Sequence, residues 1–331
     1  MNKKLRKFTV VLPLLIIVLL AFFAVTVGTK FISPLSIFSN TLSDIDRTIV
    51  TRLRVPRILI SILCGALLGG TGAVFQGFFR NPLADSGIMG ISSGATFGAV
   101  LSGLIPVSAG FVISRVSVFA FAGALLSALC VYLVSKIFRE RSSVTLLLSG
   151  TAIGTFFSAL ASIIILTCER DLHSLYAWTC GSFNAKGWNE LAVFVIPSVI
   201  ALVMLMLSSK HLDVLVCGEQ SAKAFGLNYN FVRNWILIAG SLASACAVCE
   251  GGIISFVGLI APHIVRKIYG PKHKILIFES MVYGGALMLV SDTIARTVIS
   301  PAEIPVGIIT SLIGVPFFFF ALVKMNGGKN D

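Results

Sequence analysis

The sequence predicts an all-α membrane protein, a single domain over residues 1–331 with about ten transmembrane helices. Three observations lead there. Apolar residues make up 56% of the chain and charged residues 12%, with a mean hydropathy of +0.96. A soluble domain averages roughly 25% charged residues. One hydrophobic core stops growing beyond ~250–300 residues, so no ordinary soluble fold hides this much apolar sequence. Second, apolar runs of the ~20 residues a spanning helix needs recur along the chain. Third, lysines and arginines sort by side, which makes the net charge of +12 a topology signal and not a mark of nucleic-acid binding.

The expected spans fall at 8–28, 56–78, 87–105, 116–137, 144–167, 190–208, 231–249, 253–267, 275–296 and 305–323. The first follows Lys3, Lys4, Arg6 and Lys7, which imitates a secretory signal. Its apolar run exceeds a signal's ~7–15 residues and no small-x-small cleavage site follows, so it is expected to stay as a span. The eighth is short and is expected to break at Pro262. With the N-terminus inside, the inner segments hold 17 of the 26 Lys and Arg residues, which predicts both termini in the cytoplasm. The outer segment 29–57 departs from this rule, carrying Lys30, Arg47, Arg52, Arg54 and Arg57 against Asp44 and Asp46. These cations either snorkel at the membrane interface or form a basic patch for an acidic partner.

Within the second span, Gly65, Gly69, Ala73 and Gly77 recur in steps of four, as do Gly150, Gly154, Ser158 and Ser162 in the fifth. That spacing puts small residues on one helix face, where backbones approach closely. Helix packing accounts for both series, and the two serines leave a pore wall open for the fifth span. The intramembrane ionisable residues are Glu250, Glu279, Asp292 and Arg296, with Glu279 placed near the inner interface. Asp292 and Arg296 stand four apart, where they can pair on one helix. A proton-coupled carrier needs a midplane acid, and only Asp292 or Glu250 would serve.

The seven cysteines show no framework. Cys246 and Cys249 read as packing residues, and Cys168 and Cys180 flank an outer loop where a disulfide could form. No histidine or cysteine spacing matches a metal site, and no phosphate loop, nucleophile elbow or catalytic acid pair occurs. No metal, cofactor or catalytic role is therefore assigned to this chain. The inner loop at 209–230 is the most informative connector. In it Gly218 and Gly226 bracket a short Ala-containing helix with Glu219 at its N-terminus, where the helix dipole favours an acid. It is either a plain connector or a rigid piece shaped for another protein's groove.

Five stretches together carry a family signature. They are Arg54-Val55-Pro56-Arg57; residues 79–85 (FRNPLAD) with 90–95 (GISSGA); 178–183 (WTCGSF) with Trp188; the loop 212–227; and 256–266 (FVGLIAPHIVR) continuing to 292–297 (DTIART) and 301–307 (PAEIPVG). In this order the chain resembles the FecCD-type permeases of ABC importers for iron siderophores, haem and cobalamin. The resemblance implies a type II ABC importer permease fold in the bacterial cytoplasmic membrane, paired with a second permease copy as a homodimer or related heterodimer. Two ABC ATPase subunits inside would carry ATP and Mg, and a binding protein would dock outside. It implies that Arg54, Arg57 and Arg296 meet acidic residues of that binding protein. Gly218, Glu219, Ala222, Lys223, Phe225 and Gly226 would form the ATPase coupling element. Ser142 and Ser143 would lie at the cytoplasmic gate, with Gly150, Gly154 and Ser158 on the pathway formed by the fifth and tenth spans. The cargo expected from this likeness is a metal chelate, an iron siderophore first. The alternatives are a permease for free divalent metal ions and a proton-coupled carrier acting alone.

Overall fold

The computed structural model describes residues 3–39, 41–104, 115–137, 143–167, 178–216, 218, 222 and 224–327, and among these no strand occurs. Every expected span carries a helix. They are α1 (Lys3–Thr26), α4 (Val55–Phe79), α5 (Ile91–Leu104), α6 (Arg115–Ile137), α7 (Ser143–Thr167), α8 (Trp188–Leu207), α10 (Tyr229–Gly251), α11 (Val257–Tyr269), α12 (His273–Ala295) and α13 (Val306–Gly327). Short helices α2 (Pro34–Phe38), α3 (Asp44–Thr48) and α9 (Ser209–Leu215) fill connections, and a π-helical turn over Ile49–Arg54 leads into α4. Among the described residues, six helical stretches are long and apolar enough to cross a membrane: Asp44–Phe79, Arg115–Ile137, Thr145–Leu166, Trp188–Leu215, Tyr229–Gly251 and His273–Ala295. Stretches in α1, α5 and α13 are apolar but shorter.

Helix α4 is the centre of the bundle. Pro56 stands in its first turn, continuous with the π-helical turn before it, and Arg80 ends it in the left-handed conformation at φ 50°. Its glycines are the reason it can be central. A Cβ on Gly65 would lie 2.3 Å from the Gly284 carbonyl oxygen of α12, and one on Gly69 2.1 Å from that of Ser280. The steps of four therefore pack α4 on α12 within the chain. Gly72 meets α11 in the same way, 1.9 Å from the Gly258 carbonyl oxygen.

Pro262 does not break α11, which runs through it from Val257 to Tyr269. A proline frees the carbonyl four residues earlier, here that of Gly258. Gln76 Nε2 of α4 donates to that oxygen at 3.1 Å, so the orphan acceptor is satisfied from a neighbouring helix. Arg266 Nη2 in turn donates to Gln76 Oε1 at 3.2 Å. The Asp85 carboxylate caps the turn at Ser86 and lies against Gly258, where a Cβ would come within 2.4 Å of Oδ1. The family stretches around residues 79–85 and 256–266 thus meet at one point.

Away from this centre, large apolar side chains face outward. Leu125, Leu129 and Leu133 of α6, Phe156, Ile163 and Leu166 of α7, and Ile196, Val203 and Leu207 of α8 are all exposed. These surfaces suit contact with lipid, which explains how the chain can hold far more apolar sequence than its interior takes.

Candidate functional site

Two ends of the α4–α12 pair concentrate the charged residues. At the first, α1 stops at Thr26 and leaves its last carbonyls without helical donors. Arg54 Nη1 donates to the Val25 and Thr26 oxygens at 2.6 and 3.2 Å, and its Nη2 to Lys30 O at 2.5 Å. Arg296 Nη2 donates to Ala24 O. Cations at a helix C-terminus also complement its dipole. Both arginines are nearly fully buried, at 5% and 4% exposure.

Arg57 holds Asp292 and Glu303 together. Its Nη2 and Nε donate to Asp292 at 2.8 and 3.1 Å, and its Nη1 to Glu303 at 3.0 Å. The expected pairing of Asp292 with Arg296 is therefore corrected. The Arg296 side chain turns to α1, and the partner of Asp292 comes from α4. This ties Asp292 into an ion pair between α4 and α12. Glu250 is buried in α10 and accepts from Ser198 Oγ at 3.0 Å. Glu279 is buried in the second turn of α12, and neither of its oxygens has a partner among the described residues.

Arg54, Arg57 and Arg296 all line one hollow of about 980 Å³. The π-turn and the segment 183–190 form its other walls, joined where Trp188 Nε1 donates to Thr51 O at 2.8 Å. Lys186 lies in the wall and donates to Ser117 Oγ at 3.0 Å and to Cys249 O of α10 at 3.2 Å. Burial lowers the Lys186 ammonium, and Glu190 opposes this. The sequence grouped the three arginines correctly in space but not their surroundings. Each guanidinium is engaged by acceptors of its own chain. Arg52, by contrast, is exposed on the lining of the hollow and makes no ion pair among the described residues. Lys186 and Glu303 were not singled out as site residues, because nothing local in the sequence places them beside Arg57; Arg52 was named only as one cation of the outer segment.

At the opposite end of α4 and α12 lies the loop with the expected coupling residues. Glu219 and Lys223 lie outside the described residues. Gly218 has φ 107° and donates its N–H to Leu215 O at 3.1 Å; Ala222 N–H donates to Gly218 O at 2.8 Å. Ala222 is fully buried, whereas Phe225 is 76% exposed beside Gly226 at φ 79°.

Of the expected pathway residues, Ser142 lies outside the described residues and Ser143 begins α7. Gly150 and Gly154 face Gly90, where a Cβ would sit 2.7 Å from Gly150 O and 3.1 Å from Gly154 N, so they pack within the chain and are not free wall. Ser158 Oγ shares a 3.1 Å hydrogen bond with Ser93 Oγ, and it is exposed together with Thr151, Thr155 and Ser162. The two threonines add hydroxyls that the step-of-four pattern passes over. On α13, Ile308, Leu312, Val315, Phe319 and Phe320 are exposed. Cys64, Cys180, Cys246 and Cys249 are free thiols, and Cys168 lies outside the described residues, as does the disulfide considered for it. No group of three or more His, Cys, Asp or Glu placed to hold a metal occurs among the described residues.

The comparisons with known proteins agree over most of the chain. Residues 14–324 match the FecCD transport family. The cobalamin import system permease protein BtuC of Halobacterium salinarum is 38% identical over 276 residues, covering 83% of this chain and 73% of that protein. The hemin transport system permease protein HmuU of Yersinia pestis is 31% identical over 314 residues, 94% of each. A solved structure described as a metal-chelate type ABC transporter in an inward-facing conformation superposes with a TM-score of 0.85 at 32% identity, covering 96% of this chain and 99% of that one.

Proposed function

Since the chain belongs to the FecCD transport family, we propose that it is the permease of an ATP-driven importer that receives a metal chelate from an external binding protein and passes it to the cytoplasm. Its relatives are transport permeases, and ATP hydrolysis is assigned to two separate ATPase subunits. The observation that carries the reading is the division of labour along α4 and α12. One end holds a cation-lined hollow and the other an exposed aromatic turn on a buried alanine.

In this reading the hollow faces outside and Phe225 faces the cytoplasm, with both chain termini. Arg54, Arg57 and Arg296 shape the docking surface from beneath, and Arg52 presents the free charge to an acidic lobe of the binding protein. The segment 218–226, Glu219 and Lys223 included, enters an ATPase groove with Phe225 as its anchor. A second permease copy, identical or related, packs so that the exposed hydroxyl face of α7 and the outward face of α13 line the path between them, with Ser142 and Ser143 at its inner mouth. The membrane is the bacterial cytoplasmic membrane. The finer choice of cargo is an iron siderophore, because the family stretches fit chelate permeases better than permeases for free ions.

The test is a panel. The chain is co-expressed with its ATPase and binding-protein partners, and ATP-dependent uptake into proteoliposomes is measured for a ferric siderophore, haem, cobalamin and free Mn²⁺. Uptake of a chelate with rejection of the free ion is expected. Uptake of the free ion alone would overturn the chelate reading.

A further inference from the structure

We propose that Asp213 and His273 form the joint through which movement of the 218–226 segment reaches the membrane helices, and that α4 and α12 carry this movement across as one strut. The inference rests on the reading of 218–226 as the ATPase contact.

The joint is built from groups that helix ends leave unsatisfied. Lys272 precedes α12 without a side-chain cap. Instead, Asp213 of α9 supplies the cap from another helix. Its Oδ1 accepts from the His273 backbone N–H at 3.0 Å and pairs with His273 Nδ1 at 2.7 Å. An acid at this place also meets the positive end of the α12 dipole. The His273 ring lies flush on the last turn of α4, where a Cβ on Gly77 would be 2.6 Å from its Nε2.

Helix α9 is clasped a second time two residues on. Arg80, the residue that ends α4, donates from Nη2 to Leu215 O at 2.5 Å. The same oxygen accepts the N–H of Gly218 at 3.1 Å. The first residue of the coupling segment therefore hangs on a carbonyl that α4 already holds. A displacement of Gly218 cannot dissipate in a loop, because α9 is fixed to α12 through Asp213 and to α4 through Arg80.

What receives the displacement is stiff. In its middle α4 touches α12 backbone to backbone at Gly65, Gly284, Gly69 and Ser280, with the Met288 Cβ packed at the same contact. At the far end the Arg57–Asp292 pair ties the two helices again, beside the hollow. The coupling segment and the docking surface are thus the two ends of one doubly fastened pair.

The experiment reads communication between those ends. ATP hydrolysis by the reconstituted permease–ATPase complex is measured with and without the binding protein, for the wild type, Asp213→Ala and Asp213→Asn. Asp213→Ala is expected to retain its ATPase subunits and to hydrolyse ATP within twofold of wild type without the binding protein. Stimulation by the binding protein should fall at least threefold. Asp213→Asn keeps an acceptor oxygen for both His273 donors and should restore most of the stimulation. The joint is refuted if Asp213→Ala is stimulated like the wild type, or if stimulation is lost only in step with loss of bound ATPase or of folded protein. A wild-type complex that holds no ATPase, or that the binding protein leaves unstimulated, overturns the importer reading instead.

Discussion

Removing the Asp292 carboxylate should destabilise the protein by an amount the geometry allows one to bound. Asp292 is fully buried and takes three of the contacts made by Arg57, from Nη2 and Nε. Taking one partner from a buried ion pair costs about 3–5 kcal/mol, because the remaining charge is left uncompensated. Here Glu303 still holds Arg57 Nη1 at 3.0 Å and is partly solvated, so Asp292→Ala should sit at the lower bound, about 3 kcal/mol. At ~2–4 °C per kcal/mol for a chain of this order of size, the midpoint of thermal unfolding should drop by roughly 6–12 °C. The protein carries its own reporters. Cys64, Cys246 and Cys249 are free and fully buried, so a thiol-reactive dye reads unfolding in detergent as they become exposed. The double variant Arg57→Met with Asp292→Leu removes both charges of the pair and should recover more than half of the loss, since an apolar pair replaces a buried ionic one at little cost. A drop below about 2 °C for Asp292→Ala would refute the claim that this ion pair fastens α4 to α12.

Gly69→Ala would place a methyl 2.1 Å from the Ser280 carbonyl oxygen and should cost about 1–3 kcal/mol in the same assay, whereas Gly87→Ala, with nothing within 4 Å, should not move the midpoint. Arg52→Glu should weaken binding-protein affinity several-fold at low salt, with the difference shrinking as the Debye length falls below ~8 Å, and should leave thermal stability unchanged. Calorimetric or surface-binding titrations at two ionic strengths check it. Phe225→Ala should lower ATPase affinity by about 2 kcal/mol, roughly 30-fold, measured by co-purification across a dilution series.

Much of this was legible from residue spacing. The ten apolar ranges each carry a helix, and the steps of four at Gly65, Gly69 and Gly77 marked the face on which α4 packs. The step-of-four series in α7 was legible as close packing, but not which neighbour it meets. What escaped is long-range or depends on orphaned backbone groups. Asp292 looked like a partner for Arg296 because a sequence displays neighbours four apart, while its actual partner lies 235 residues away. Arg54 read as a docking charge and Arg296 as that or a partner for Asp292, since a sequence does not show that the carbonyls ending α1 lie beside them. Pro262 read as a break because the amide of Gln76, which takes the freed Gly258 carbonyl, lies on a different helix. The hollow combines residues from four separate stretches, so Lys186 and Glu303 could enter it only through the fold.

Import driven by ATP hydrolysed on partner subunits is open to direct measurement. The most direct measurement is accumulation of a radiolabelled ferric siderophore in proteoliposomes containing the permease and its ATPase, with the binding protein outside and ATP within. Accumulation should require ATP and the binding protein and persist when a protonophore abolishes the proton gradient. Accumulation by the permease alone under a proton gradient, with no ATPase present, would contradict ATP-driven import.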